Sequence, residues 1–430
     1  MSLLPFIFAQ IELSMQVFKF GGASVNSMER IKNVADILRR FKNEKILVVI
    51  SAMGKTTNAL EKVVESFFSG DKQKALQLFD QIKREHLSIS RDLILKPVDQ
   101  LSNFFTEVEW LLHDKPVRAF DYYYDQVVCI GELLSTTIIS HYLNETGIPN
   151  QWIDVRDIFR TDDNFRDANI DWAFTQAKVE GDIKPLFAKN NIVITQGFIG
   201  STDENESTTL GREGSDYSAA VFANMLDATV QTIWKDVRGV MNADPKQFPE
   251  AEFIGELNYN EVIEMAYYGA QVIHPKTIKP LQNKGIPLCV KCFLDPASKG
   301  TFIHNKHLNH LPPIIVLKEN QVLLQLSSQD FSFVGEKPIS SLYEMLADLK
   351  VKPNLLQTGA VSILLCLDNK EEKIEKLAIT ASDIFDVQVD KGLTLLTIRH
   401  YNETLLAEMT KGKQVVLRQQ LPDTIQLLMK

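Results

Sequence analysis

Residues 46–50, Ile-Leu-Val-Val-Ile, form an unbroken apolar run rich in β-branched side chains. A run this short and this apolar suits a strand covered on both faces, as the inner strands of a parallel sheet are. Its surroundings narrow the choice further. Val17–Phe20 reads as another short strand. A helical pattern follows from Met28 to Phe41, with apolar residues at Ile31, Val34, Ala35, Ile37 and Leu38. Helical patterns then dominate from Leu60 to Leu143. Further strands read at Gln151–Val155, Asn191–Phe198, Ala228–Trp234 and Ile286–Cys292, with helix-like stretches between them. Such alternation predicts a layered α/β domain on a mainly parallel sheet.

The pattern changes after the polar, proline-containing connector "HNKHLNHLPPIIVLKEN". Beyond it a strand (Val322–Leu326), a helix (Ile339–Leu349) and two strands (Asn354–Gln357 and Ser362–Leu367) are expected. A helix (Lys370–Ser382), a strand, a second strand (Leu393–Ile398), a helix and two more strands complete the chain. This is a repeat of small β-α-β-β units. The domain boundary is placed near residue 311, giving regions 16–310 and 311–430. Residues 1–15 are set apart as a leader or upstream-start segment. They carry no Lys or Arg ahead of a short apolar stretch, unlike a signal peptide.

Composition excludes several function classes. The 430 residues are 45% hydrophobic and carry a net charge of −9, which argues against a nucleic-acid-binding surface. No apolar run reaches the roughly 18 residues of a membrane span. Four cysteines in this length point to a reducing compartment, and a cytoplasmic location is expected.

Several segments bear on phosphate chemistry. Gly54-Lys55-Thr56 resembles the end of a P-loop, but that motif needs a glycine at the position of Val49, inside the strand-like run. "VFKFGGAS", residues 17–24, ends a strand in two glycines just before a helix. Backbone N–H groups there can approach an anion, with Lys19 nearby, although a purely steric glycine turn reads equally well. In "TTLGREGSDYSAA", Gly211 and Gly214 flank Arg212, whose guanidinium suits a carboxylate. Ser215-Asp216 reads as a helix cap, or Asp216 as the organiser of Lys19 or of a metal ion. "IWKDVRGVMNADPK" and "YGAQVIHPKTIKP" are further strand-end segments rich in charge.

Taken together these segments resemble the aspartokinases, amino-acid kinases that phosphorylate aspartate. The family's K-F-G-G-T-S-V appears at Lys19–Val25, its S-A-x-x-x-x-T-N at Ser51–Asn58 and its G-E-L at Gly131–Leu133. Its G-R-x-G-S-D-Y appears at Gly211–Tyr217, its W-T-D-V-x-G element at Trp234–Pro245 and its G-A-x-V-x-H-P at Gly269–Pro275. The resemblance implies the amino-acid-kinase three-layer fold followed by two ferredoxin-like ACT-type modules, the second shortened at its C-terminus. It implies ATP and Mg²⁺, L-aspartate as substrate, an amino-acid effector at the C-terminal region and a homodimer. It implies catalytic roles for Lys19 and Asp216. Ser51, Thr57, Glu132, Phe198, Arg212, Glu213, Gly214 and Ser215 match aspartate-side positions. Lys19, Gly21, Gly22, Ser24, Lys235, Asp236, Met241, Asp244, Lys246, Gln271 and Val272 match nucleotide positions.

The chain departs from the family pattern in places. Ala23 and Lys235 replace threonines, and Met241 stands where an aromatic residue is frequent. Glu213 puts a negative charge in the glycine turn. Gln271 replaces a nucleotide-binding lysine, with Lys276 as the candidate to restore that charge. Asn354 stands where lysine-sensitive relatives carry an aspartate. Cys289-x-x-Cys292 with His304, His307 and His310 approximates a zinc-finger spacing, but cysteines on an apolar strand read as core packing, and no resident metal site is expected. Two other readings remain open here: a kinase for a different carboxylate, and a non-catalytic amino-acid sensor that kept the fold.

Overall fold

The computed structural model describes residues 14–271, 273–308, 310–330 and 332–430, so Val272 and nearly all of the leader segment lie outside it. The chain divides into two compact units. The first holds the residues up to Val240, Phe253–Ile263 and Ile273–His307; the second holds Met241–Glu252, Glu264–Val272 and Leu308–Lys430. The division is therefore not a single cut at residue 310. The excursion 241–252 is tied to the strand that opens the second unit's sheet, where Ile315 N–H donates to Asn242 O at 2.7 Å.

The first unit is built on strands β1 (Met15–Phe20), β2 (Lys45–Ile50), β3 (Asn150–Trp152), β4 (Ile192–Gln196), β5 (Val230–Lys235), β6 (Glu256–Asn258), β7 (Leu288–Cys292) and β8 (Thr301–His304). They form one sheet in the order β6-β8-β7-β5-β1-β2-β4-β3, and only β7 and β8 run antiparallel. Ile46–Ile50 are wholly buried, as two covered faces require. Phe18 and Phe20 pack on Trp234, whose ring stacks on Phe20 at a centroid distance of 5.8 Å. The predicted strand at Gln151–Val155 stops at Trp152. The Asp154 carboxylate accepts from Arg156 N–H at 3.0 Å and turns the chain into a single tight turn.

The helices α1 (Met28–Arg40), α2 (Thr56–Phe68), α3 (Ile130–Glu145), α4 (Gly214–Met225) and α5 (Pro275–Lys284) matter most for the site. α1 is capped by Ser27 and buries the apolar stripe read from its sequence. α3 and α4 behave differently. Residues 130–140 and 214–225 are buried without interruption, so α4 has no solvent face and α3 gains one only in its last turn, at His141, Asn144 and Glu145.

The second unit carries an antiparallel sheet of β9 (Ile314–Ser328), β10 (Leu355–Thr358), β11 (Ser362–Asp368), β12 (Phe385–Arg399), β13 (Val415–Gln420) and β14 (Thr424–Met429), in the order β10-β11-β9-β12-β14-β13. Helices α6 (Glu336–Asp348) and α7 (Glu371–Ala381) cover a core that includes Leu324, Leu346, Leu365 and Leu377. Helix α8 (Glu403–Thr410) and the strands β12 and β14 share a second cluster around Leu396 and Leu427. The two strands expected before and at Leu393–Ile398 are one, β12. Its polar break at Asp390-Lys391-Gly392 lies at register shifts against β9, so the ladder bulges there instead of ending.

Candidate active site

All four central strands β1, β2, β4 and β5 run parallel, so their carboxyl ends share one edge. The register pairs Phe20 with Ile50 and Trp234, and Ile50 with Gln196. The residues that follow these strands, Gly21, Ser51, Gly197 and Asp236, therefore leave the sheet at one level. Ligands of open α/β sheets bind in such a position.

The glycines there are required by contact. A Cβ on Gly22 would stand 2.7 Å from Ala52 O, and Gly54 N–H donates to Gly22 O at 3.0 Å. The loops after β1 and β2 are thus clasped backbone to backbone. A Cβ on Gly197 would stand 2.6 Å from the Ser215 Cβ, which lets the start of α4 reach the end of β4. Gly131 lets the start of α3 approach Ala52, Thr56 and Leu60, and so carries Glu132 beneath the same loops.

These approaches enclose a cavity of about 600 Å³. It is lined by Lys19, Gly21, Gly22, Ser24, Ser51, Thr57, Glu132, Phe198, Arg212, Glu213, Gly214, Ser215, Asp216, Lys235 and Asp236, all named from the sequence. Lys19 Nζ lies 2.6 Å from Asp216 Oδ1, an ionic contact with side-chain exposures of 12% and 5%. Both charges are nearly out of water, where their attraction is strong and their mutual placement fixed. Among the described residues the Arg212 side chain has no ion pair or hydrogen bond, and its guanidinium borders the cavity.

Glu132 is buried. Ala52 N–H donates to its Oε1 at 3.3 Å, and its Oε2 has no partner. Burial pushes the carboxyl up to about 8, against the opposing pull of the Ala52 N–H and the Lys19 charge. Asp125, on the helix Phe120–Val128, is equally buried but satisfied. It accepts from Thr209 N–H and Oγ1–H at 2.7 Å each and from Arg166 N–H at 3.0 Å. Burial still raises its carboxyl to about 6.

The loop 210–214 corrects two expectations. Ser215 and Asp216 do not cap α4; they lie in its first turn. The capping position is Glu213, in the left-handed region at φ 54°. Its carboxylate turns to the start of α5 and accepts from His274 N–H at 2.9 Å. A helix N-terminus favours a negative charge, so Glu213 is compensated there. Lys276 does not restore the charge missing at Gln271. Its Nζ donates to Leu210 O and to Asp167 Oδ1, both at 3.0 Å. The 274–276 segment thus holds the Arg212 loop by two ties.

Met241, Asp244, Lys246 and Gln271 fall in the second unit, and Val272 lies outside the described residues. Tyr124, Arg166 and Thr209 also line the cavity and carry no motif in the sequence. The Arg166 guanidinium lies 4.3 Å from the centre of the Tyr124 ring and 3.2 Å from Asp121 Oδ1. The run Tyr122–Tyr124 among acidic residues was the available signal. Cys289 and Cys292 are buried on β7, and His304 Nε2 meets Glu256 Oε1. Among the described residues no three His, Cys, Asp or Glu side chains stand close enough to hold a metal ion.

Comparison with known proteins places this geometry in context. Residues 14–292 match the model of the amino acid kinase family. Lysine-sensitive aspartokinase 3 of Escherichia coli is 33% identical over 394 residues, covering 89% of this chain and 86% of the relative. The crystal structure of E. coli aspartokinase III with aspartate and ADP superposes with a TM-score of 0.81 at 29% identity, over 96% of each chain. Its lysine and aspartate complex gives 0.78 at 30% identity, over 96% of this chain and 95% of that one.

Proposed function

The chain belongs to the aspartokinases of the amino acid kinase family, and from that premise we propose that it transfers the γ-phosphoryl group of ATP to the side-chain carboxylate of L-aspartate. The products are 4-phospho-L-aspartate and ADP, at the entry to lysine, threonine and methionine synthesis. One observation carries the reading. A single cavity holds an organised cation, Lys19 on Asp216, beside a glycine turn, and also a free guanidinium and a buried, half-partnered acid. The first set suits a phosphoryl group. The second suits an α-amino acid, whose carboxylate Arg212 receives in a two-bond fork and whose ammonium completes Glu132.

The chemistry needs no protein base. An aspartate side chain is ionised at neutral pH and is itself the nucleophile. The protein has to align two anions and neutralise the charge that spreads over the phosphoryl oxygens. Lys19 supplies that charge, held in place by Asp216. The Ser51 and Thr57 hydroxyls, which line the same cavity, can donate to carboxylate or phosphate oxygens. Mg²⁺ bound with ATP would supply further neutralisation, and the hard carboxylates of Asp216 and Asp236 on the cavity wall would hold it. Lys235, on the wall of this cavity, serves the nucleotide. The working form is a cytoplasmic homodimer.

The test is a coupled assay of ADP release with ATP and Mg²⁺, comparing L-aspartate, L-glutamate and no acceptor. Aspartate-dependent ADP release with hydroxylamine-trappable acyl phosphate is expected. Binding of aspartate without turnover would instead make the chain a sensor, and turnover on another carboxylate would move the substrate.

A further inference from the structure

The second unit contains a cavity of about 410 Å³ whose lining includes Lys318, Lys350, Lys352 and Lys370, with Asp368 as its one acid. In a chain with a net charge of −9, four ammonium groups against one carboxylate is a strong local inversion. Among the described residues Lys350, Lys352 and Lys370 form no ion pair. A further ammonium lies beside them. Lys373 Nζ donates to Leu349 O at 2.7 Å and to Lys350 O at 3.3 Å.

The one acid is already engaged. Asp368 Oδ1 accepts from Asn354 Nδ2 at 2.8 Å and from Gln321 Nε2 at 3.1 Å. Lys318 Nζ donates to Asn354 Oδ1 at 2.7 Å. The amide of Asn354 is thereby satisfied at both ends, and Lys318 is fixed by a neutral group, with the single carboxylate of Asp368 close enough to act on both Lys318 and Lys370.

Backbone geometry adds an independent observation. Helix α6 ends in a turn where Lys350 N–H donates to Ala347 O and Val351 N–H to Leu346 O, both within 2.9 Å. The residue at the bend of such a turn adopts the left-handed region and is usually glycine. Here it is Lys350, at φ 49°. A strained lysine at the mouth of a cationic cavity is a costly choice for a surface turn, and a strained backbone of this kind gathers at ligand sites. The first turn of α7 faces the same cavity through Lys370 and Ile374, and adds the partial positive charge of a helix N-terminus.

We propose that this cavity binds a small anion carrying two or more negative charges, such as a phosphorylated or polycarboxylate metabolite. Lys350, Lys352 and Lys370 neutralise it, and Lys318 is held ready by Asn354. The same charge repels a cationic amino acid. Binding here is independent of the kinase reaction proposed above and stands or falls separately from it.

The test is isothermal titration of the full chain at matched ionic strength with inorganic phosphate, with citrate, and with acetate as the monovalent control. Phosphate and citrate separate the two sources of charge. Saturable binding of at least one is expected, with acetate inert. The Lys350→Gln/Lys352→Gln double variant should weaken it by about tenfold or more, since each lost charge-assisted bond is among the stronger kind. Lys350→Gly should weaken it too while leaving the fold at least as stable, which separates lost charge from lost structure. Lys19→Ala, which disables the kinase cavity, and Lys376→Gln, on the exposed part of α7, should leave it unchanged. No saturable binding by the wild-type chain, or binding lost in Lys19→Ala yet intact in the double variant, overturns the proposal.

Discussion

Lys19 and Asp216 show how much one buried pair can decide. Their contact at 2.6 Å fixes the ammonium at the glycine turn before any substrate arrives. A donor placed in advance is worth most when charge develops, so Lys19→Ala should lower kcat by about 10²–10³. A folded variant with near-normal kcat would remove the role. Arg212 tests the other side. Lysine cannot copy a two-bond fork, so Arg212→Lys should raise the KM for aspartate far more than that for ATP. The reverse ranking would mean the two sides are exchanged. Glu132 makes a pH prediction. Its folded pKa is raised from 4.5 to about 8, so the native chain keeps a proton that the unfolded chain has released. Ligand-free stability should therefore fall as pH rises from 4.5 to about 8, and Glu132→Gln should flatten that fall. Aspartate, by bringing an ammonium to the carboxylate, should bind more tightly as pH approaches 8. Thermal melts across this range, with and without aspartate, check both signs. A wild-type profile as flat as that of the Gln variant would rule the linkage out.

At the scale of elements, the loop 210–214 is held by α5. The Glu213 carboxylate takes His274 N–H, and Lys276 takes Leu210 O. Glu213 also sits in the left-handed region, at about 1 kcal/mol against glycine. Strain and latch oppose each other, and substitutions separate them. Glu213→Ala keeps the strain and loses the latch, so it should destabilise the chain by about 1–2 kcal/mol. Glu213→Gly loses both, and should be nearer the wild type in stability. Both should raise the KM for aspartate, because Arg212 rides on this loop. Denaturation curves and aspartate kinetics of the two variants provide the check. Equal stability losses would show that the backbone strain is not real.

For the whole molecule the prediction concerns regulation. The Asn354 amide is already spent on Lys318, Gln321 and Asp368. It offers a lysine effector no charge, and the surrounding ammonium groups oppose one. An effector shifts activity only by its differential affinity for two states. Inhibition by lysine should therefore be weak or absent. Activity titrated separately with lysine, threonine and methionine tests this, with solution mass measured in parallel. Strong inhibition by lysine alone would show that Asn354 does not decide effector choice.

The sequence by itself determined the strand–helix alternation, because apolar runs as short and as rich in β-branched residues as Ile46–Ile50 suit a strand covered on both faces better than a helix. It also determined the glycine-rich turns, since only glycine allows backbones to approach as Gly22 and Gly54 do. Local rules reached their limit where partners come from far along the chain. The bulges that join two expected strands into β12, and Glu213 rather than Ser215 or Asp216 at the start of α4, each depend on such contacts. The tertiary structure alone decided that Lys276 serves Leu210 and Asp167 and not the position of Gln271. Arg166 and Tyr124 likewise reach the cavity only through the fold. A side chain's partner is fixed by what packing brings within about 3 Å, and spacing along the chain does not encode that.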